Sequence, residues 1–102
     1  MAHITEKDTE KDIEKKVCKY AEEKGFLVRK YNSPGVTGVP DRILFGHGGV
    51  FLIEFKKPEG RLSAAQRREI ARIRDHGAVC FVVDSVEYGG KVIDIMVGPD
   101  VK

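Results

Sequence analysis

The chain has 102 residues, a formal net charge of +2, and 41% hydrophobic and 33% charged residues. That length fits one small domain, and the composition excludes both a disordered chain and a membrane protein. No apolar run approaches the ~20 residues that span a bilayer, and no signal-peptide pattern opens the sequence. Two cysteines, Cys18 and Cys80, make neither a disulfide framework nor a zinc cluster, so a reduced, intracellular and cytoplasmic location is expected. A core of this size buries only about 60–65% of the unfolded surface, and self-association would help it. Charge is unevenly spread: residues 54–75 carry seven basic groups against four acidic, and residues 1–24 six against seven. A polyanion would therefore meet the first of these two segments.

Residues 1–8 are polar and expected to fray. From Thr9 to Lys24, Ile13, Val17, Tyr20 and Ala21 recur at helical spacing; Thr9 is a candidate N-cap with Asp12 reaching back to it, and Gly25 is the stop. Phe26 to Tyr31 predicts a strand, and Asn32 to Pro40 a turn-rich loop. Asp41 to Phe45 and Val50 to Lys56 flank Gly46-His-Gly-Gly49, a hairpin pattern. After a Pro/Gly loop from Lys57 to Leu62, Ser63 opens a second helix that runs to about Arg74 and stops at Gly77. Ala78–Val83 and Lys91–Val97 predict two further strands. The order αβββαββ describes a single domain over residues 1–102, of α/β class, with one mixed sheet flanked by helices.

The hairpin carries the strongest chemical signal. If His47-Gly48 is a two-residue turn, Gly46 pairs with Gly49 and Asp41 falls directly opposite Glu54, with Lys56 on the same face. Like charges placed opposite each other destabilise a strand pair, and a divalent cation held by oxygen ligands would offset that cost. The alternative is two carboxylates solvated at a strand end. Short strings alone decide nothing: Glu-x-Lys occurs three times and Pro-Asp twice, but only Pro40-Asp41 followed by Glu54-Phe55-Lys56 has a strand-turn-strand context.

Pro40-Asp41, a hairpin, then Glu54-Phe55-Lys56 resembles the PD-(D/E)XK nuclease core. Adding the leading helix with Glu14, the stretch Gly38-Val-Pro-Asp-Arg42, and Lys57-Pro-Glu-Gly-Arg-Leu-Ser-Ala-Ala-Gln66, the chain resembles the VRR-NUC (virus-type replication-repair nuclease) family over about residues 9–85. The resemblance implies a restriction-endonuclease-like core and a metal-dependent endonuclease, similar to short stand-alone phage and bacterial members that look like Holliday junction resolvases. It implies that Asp41 and Glu54, with the backbone carbonyl of Phe55, ligate Mg²⁺ or Mn²⁺. Lys56 would orient the attacking water or stabilise developing charge. Glu14 would complete the metal site from the first helix, and Gln66 would lie beside it. No small-molecule cofactor and no membrane are expected.

Several of these positions carry a second reading. Glu14 shares a helix face with Val17, Cys18 and Ala21 at the edge of the apolar stripe; Glu10, one turn earlier, is its rival, and a solvated glutamate is the alternative for either. Gln66 also completes a capping box, Ser63-Ala-Ala-Gln66, at the second helix start. Ser33 matches a catalytic serine of resolvases, but Ser33-Pro34-Gly35 is also turn chemistry. Lys57, Arg61, Arg67, Arg68, Arg72 and Arg74 are candidate phosphate contacts, which position a duplex without reading its sequence. His3, His47 and His76 do not read as catalytic; Tyr20, Phe26, Phe51 and Phe81 read as core, and both cysteines as packed apolar residues. The expected partner is branched DNA and the expected assembly a homodimer, with the strands Ala78–Val83 and Lys91–Val97 as candidate interfaces. The competing classes are a non-catalytic nucleic-acid-binding module and a nuclease acting on flaps or RNA.

Overall fold

A computed structural model describes residues 8–99 of the chain; the fraying expected of residues 1–8 lies, Asp8 apart, outside the described residues. The elements run α1 (Glu10–Glu23), β1 (Leu27–Lys30), β2 (Arg42–Gly46), β3 (Gly49–Phe55), α2 (Ala64–Asp75), β4 (Val79–Val83) and α3 (Val86–Val97). Reciprocal capping boxes start the first two helices. Thr9 Oγ1 accepts from the Asp12 N–H and Asp12 Oδ2 from the Thr9 N–H, and Ser63 and Gln66 repeat the pattern. The hairpin turn places both His47 and Gly48 at positive φ, 53° and 83°, the twist-matched geometry of a two-residue turn. His47 Nε2 lies 2.8 Å from the Lys24 carbonyl oxygen and its ring packs on Phe26, so this histidine ties the turn to the end of α1.

The four strands lie in the order β1-β2-β3-β4, with two antiparallel pairs and a parallel β3–β4 pair. β3 is central and buried from Phe51 to Phe55, so its side chains feed two cores. On one face Phe51, Ile53 and Phe55 join Val28, Leu44 and Val83 beneath Ile13, Val17 and Ala21 of α1 and Val92 and Ile93 of α3. On the other, Leu52 and Cys80 pack with Ile70 of α2. Burial holds both thiols high, at about 11, so each is a packing group and not a nucleophile.

The chain departs from the expected order at its end: Lys91–Val97 is the second half of a helix, not a strand, and the order is αβββαβα. Alternation of β-branched residues there imitates a strand, but Gly89, Val92 and Ile93 are buried with Met96 and Val97 packed beside them, a helical stripe. Gly89 makes the packing possible, since a Cβ on it would lie 2.4 Å from Val17 Cγ2 of α1. Ser85 caps the helix by accepting from the Tyr88 N–H. A dimer interface through a strand at Lys91–Val97 is therefore excluded, and β4 becomes a sheet edge. That edge is partly blunted, because Arg74 Nε and Nη2 both donate to the Cys80 carbonyl at 3.1 and 2.6 Å.

Candidate active site

The β2–β3 register pairs Arg42 with Ile53 and Gly46 with Gly49, and the Asp41 N–H continues the ladder by donating to the Ile53 carbonyl at 3.0 Å. Asp41 therefore stands opposite Glu54, on the face of the sheet that α2 covers. Two further bonds fix Asp41: its Oδ2 accepts from the Phe55 N–H at 2.7 Å, and its carbonyl accepts from the Tyr31 N–H at 3.0 Å.

Glu54 is only 1% exposed, and it is a charged residue in an otherwise apolar strand. Its Oε2 accepts from Gln66 Nε2 at 2.9 Å. Its Oε1 is buried and has no hydrogen-bond partner. Burial, with the Asp41 charge adding, pushes the Glu54 carboxyl up to about 8, although Lys56 pulls the other way. Burial also raises Asp41, opposed by the Phe55 N–H and assisted by the nearby charges of Glu14 and Glu10. Asp41 and Glu54 thus form a buried acidic pair that resists double ionisation and leaves one Glu54 oxygen without a hydrogen-bond partner.

Gln66 uses both ends of one amide. Its oxygen accepts from the Ser63 N–H at 2.8 Å, closing the capping box, and from Lys56 Nζ at 3.5 Å; its nitrogen holds Glu54. The capping and site-side readings of Gln66 are thus satisfied by one conformation. Reversing the amide would face its NH₂ toward the Ser63 N–H, so the neighbours fix its orientation.

Glu14 is placed otherwise. Arg42, adjacent to Asp41, projects toward α1 and donates through Nε to Glu14 Oε2 at 2.6 Å. Glu14 and Asp41 line one cleft of about 500 Å³, with Lys30, Tyr31 and Asn32, but the ion pair occupies Glu14. Among the described residues no three His, Cys, Asp or Glu side chains converge as a metal cluster.

The remaining candidates spread along the rim. The Ser33 carbonyl closes a turn by accepting from the Val36 N–H at 3.1 Å, and Asn32 lines the Asp41 cleft in its stead. Lys57 and Arg61 are exposed in the loop after β3. Arg67 Nη1 donates to the Leu62 carbonyl, while Arg68 and Arg72 line a polar cleft against Gly35–Thr37. Arg74 is committed to the β4 edge. His76 Nδ1 sits 2.7 Å from the Arg72 carbonyl oxygen at the α2 terminus, and the residue lines a hollow with Ile73 and Ala78. Tyr31 and Asn32 are the cleft residues that sequence reasoning missed, while Arg42 lines a separate cleft with Glu14 and Lys30. For Arg42 the strand alternation next to Asp41 was a usable signal.

Three comparisons bear on this arrangement. The VRR-NUC domain model matches residues 4–87. The protein named "Putative nuclease p44" of Acyrthosiphon pisum secondary endosymbiont phage 1 is 35% identical over 77 residues, covering 74% of this chain and 83% of that protein. A solved structure described as a VRR_NUC domain is similar with a TM-score of 0.77 and 31% identity, over 85% of this chain and 97% of the other.

Proposed function

The chain belongs to the VRR-NUC family of nuclease domains, and on that premise we propose that it is a Mg²⁺- or Mn²⁺-dependent endonuclease that hydrolyses DNA phosphodiesters at the Asp41–Glu54 pair. The observation that carries the proposal is the buried, unpartnered Oε1 of Glu54 directly across the strand pair from Asp41. Asp41 and Glu54, with the Phe55 carbonyl, would hold the ion. When bound, the ion supplies Lewis acidity to the scissile phosphate and lowers the pKa of a water.

The chain's own residues do the rest. Gln66 fixes Glu54 through Oε2 and so selects Oε1 as the presented oxygen. Lys56 stands beside the same amide, where its ammonium can orient a water or receive charge building on the phosphate oxygens. Glu14 adds negative charge to the cleft while Arg42 holds its Oε2, so a ligand role would fall to its Oε1. Exposed Lys57, Arg61, Arg68 and Arg72 offer phosphate contacts that depend on backbone position and not on base sequence.

Substrate structure is the selectivity that such contacts support, and branched DNA such as a four-way junction is the proposed class. Paired incision of a junction needs two sites related by a two-fold axis, and a homodimer supplies them. Leu27, Phe45 and Val50 form an exposed apolar row across β1, β2 and β3 available for that contact. The test is incubation of the protein with junction, flap and linear DNA and with RNA, in Mg²⁺, Mn²⁺ or EDTA. Cleavage of branched DNA above linear DNA, abolished by EDTA, is the expected result. Undiminished cleavage in EDTA would overturn the metal assignment, and binding without cleavage under every condition would make the chain a non-catalytic module.

A further inference from the structure

One rung along the α2 face from Asp41 and Glu54, Ile43 pairs with Leu52. α2 leaves this rung partly open. Tyr31, Ile43, Leu52, Ile73 and Ala78 line an apolar hollow of about 530 Å³, within the range of small-molecule sites. The hollow shares Val36, Glu69 and Arg72 with a polar cleft of about 270 Å³ that Arg68 also lines. It also shares Tyr31 with the cleft that contains Asp41. A guanidinium-lined cleft, an apolar hollow and the acidic cleft therefore lie in series, joined by common walls.

That series has the alternation of a polynucleotide: phosphate, base, phosphate. A nucleobase has apolar faces and polar edges, which suits an aromatic-lined hollow with a few polar groups at its mouth. Glu69, with a side chain 16% exposed and 3.8 Å from Arg72, places an acceptor on the shared rim within the chemistry of an exocyclic amine. We propose that this hollow takes an unpaired nucleobase flanking the scissile phosphate, with Arg68 and Arg72 receiving the phosphate on its far side. The inference rests on the nuclease reading and deepens it. A base inside a duplex has its faces stacked and its edge paired, so only a nucleotide released from pairing, as at a junction, flap or bulge, can enter. The charged rim favours this occupant over a second copy of the chain, whose contact row at Leu27, Phe45 and Val50 lies one rung farther toward the hairpin turn.

The experiment measures binding of the full chain in EDTA, by fluorescence anisotropy, to three labelled duplexes: one with a single bulged adenosine, one with an abasic residue at the bulge, and one fully paired. The bulged adenosine should bind about tenfold tighter than the abasic duplex, the scale of one base–aromatic stack. Ala78→Phe, which fills the hollow from an exposed position, should bring that ratio close to one while melting cooperatively. Equal wild-type affinity for the bulged and abasic duplexes, with Mg²⁺-dependent cleavage intact, would overturn this inference alone. Loss of a wild-type dimer in Ala78→Phe on sedimentation would also overturn it, by assigning the hollow to a second copy. Failure to bind any of the three duplexes, together with no cleavage, would overturn the nuclease reading itself.

Discussion

Glu54 is costly to the metal-free protein. Its carboxyl is raised from 4.5 to about 8 by burial and by Asp41, so between those values the folded state binds a proton that the unfolded state has released. Stability of the metal-free protein must then fall as pH rises through that window. Glu54→Gln removes the titration, keeps the shape, and should raise the melting temperature in EDTA at pH 8 by about 4–8 °C per kcal/mol recovered. Melting curves from pH 5 to 8.5 check this: the wild type should slope downward and the variant should be flatter, whereas parallel profiles would contradict the burial argument. The proposed cation would displace the same proton, so affinity for Mg²⁺ should rise over the same range.

Gln66 lets two roles be separated at one residue. Glutamate at the third helical position preserves a capping box but replaces the donor to Glu54 with a second carboxylate. Gln66→Glu should therefore keep α2 capped while lowering cleavage, whereas Gln66→Ala keeps the Ser63 cap but loses the reciprocal bond to the Ser63 N–H, at about 1 kcal/mol. A Gln66→Glu protein cleaving at the wild-type rate would remove Gln66 from the site. At this scale the Asp41–Glu54 opposition was legible because turn length fixes register. The Arg42–Glu14 pair was not, because it depends on which face α1 covers.

Among the elements, the loop before β2 is fixed by contact with α2. Gly38 has φ +86°, and a Cβ there would lie 2.5 Å from the Ala65 carbonyl oxygen and 2.8 Å from the Gln66 nitrogen. The loop that delivers Asp41 is thus seated on the backbone of the turn that delivers Gln66. Gly38→Ala should destabilise by about 1–3 kcal/mol through strain and displacement, with activity falling further than the fraction unfolded explains. Chemical denaturation beside a cleavage assay distinguishes the two, and unchanged activity in the folded variant would show that the loop tolerates the shift. Helix ends, strands and the hairpin turn were legible from caps, alternation and Gly-His-Gly-Gly. α3 was not, because Ile93, Ile95 and Val97 satisfy a strand period locally, and the helix is selected by the close approach of Gly89 to Val17.

For the whole molecule, the question is what covers the open part of the α2 face. Among the described residues no helix is long and apolar enough to cross a membrane, and Leu27, Phe45 and Val50 form an exposed apolar row on three adjacent strands. The proposed homodimer buries it. Phe45→Lys should shift the chain from dimer to monomer in sedimentation at micromolar concentration, and a monomeric wild type would leave paired incision without a basis. The Arg74 bonds to Cys80 make the β4 edge a poorer route to the same dimer.

In the proposed mechanism the Asp41–Glu54 pair is indispensable. Single-turnover cleavage of branched DNA in Mg²⁺ by the wild type and by Glu54→Gln, both verified as folded, tests it most directly. A loss of at least about a hundredfold is expected in the variant, the usual scale for removing an electrostatic element of a reacting centre. A variant rate within twofold of the wild type would contradict it.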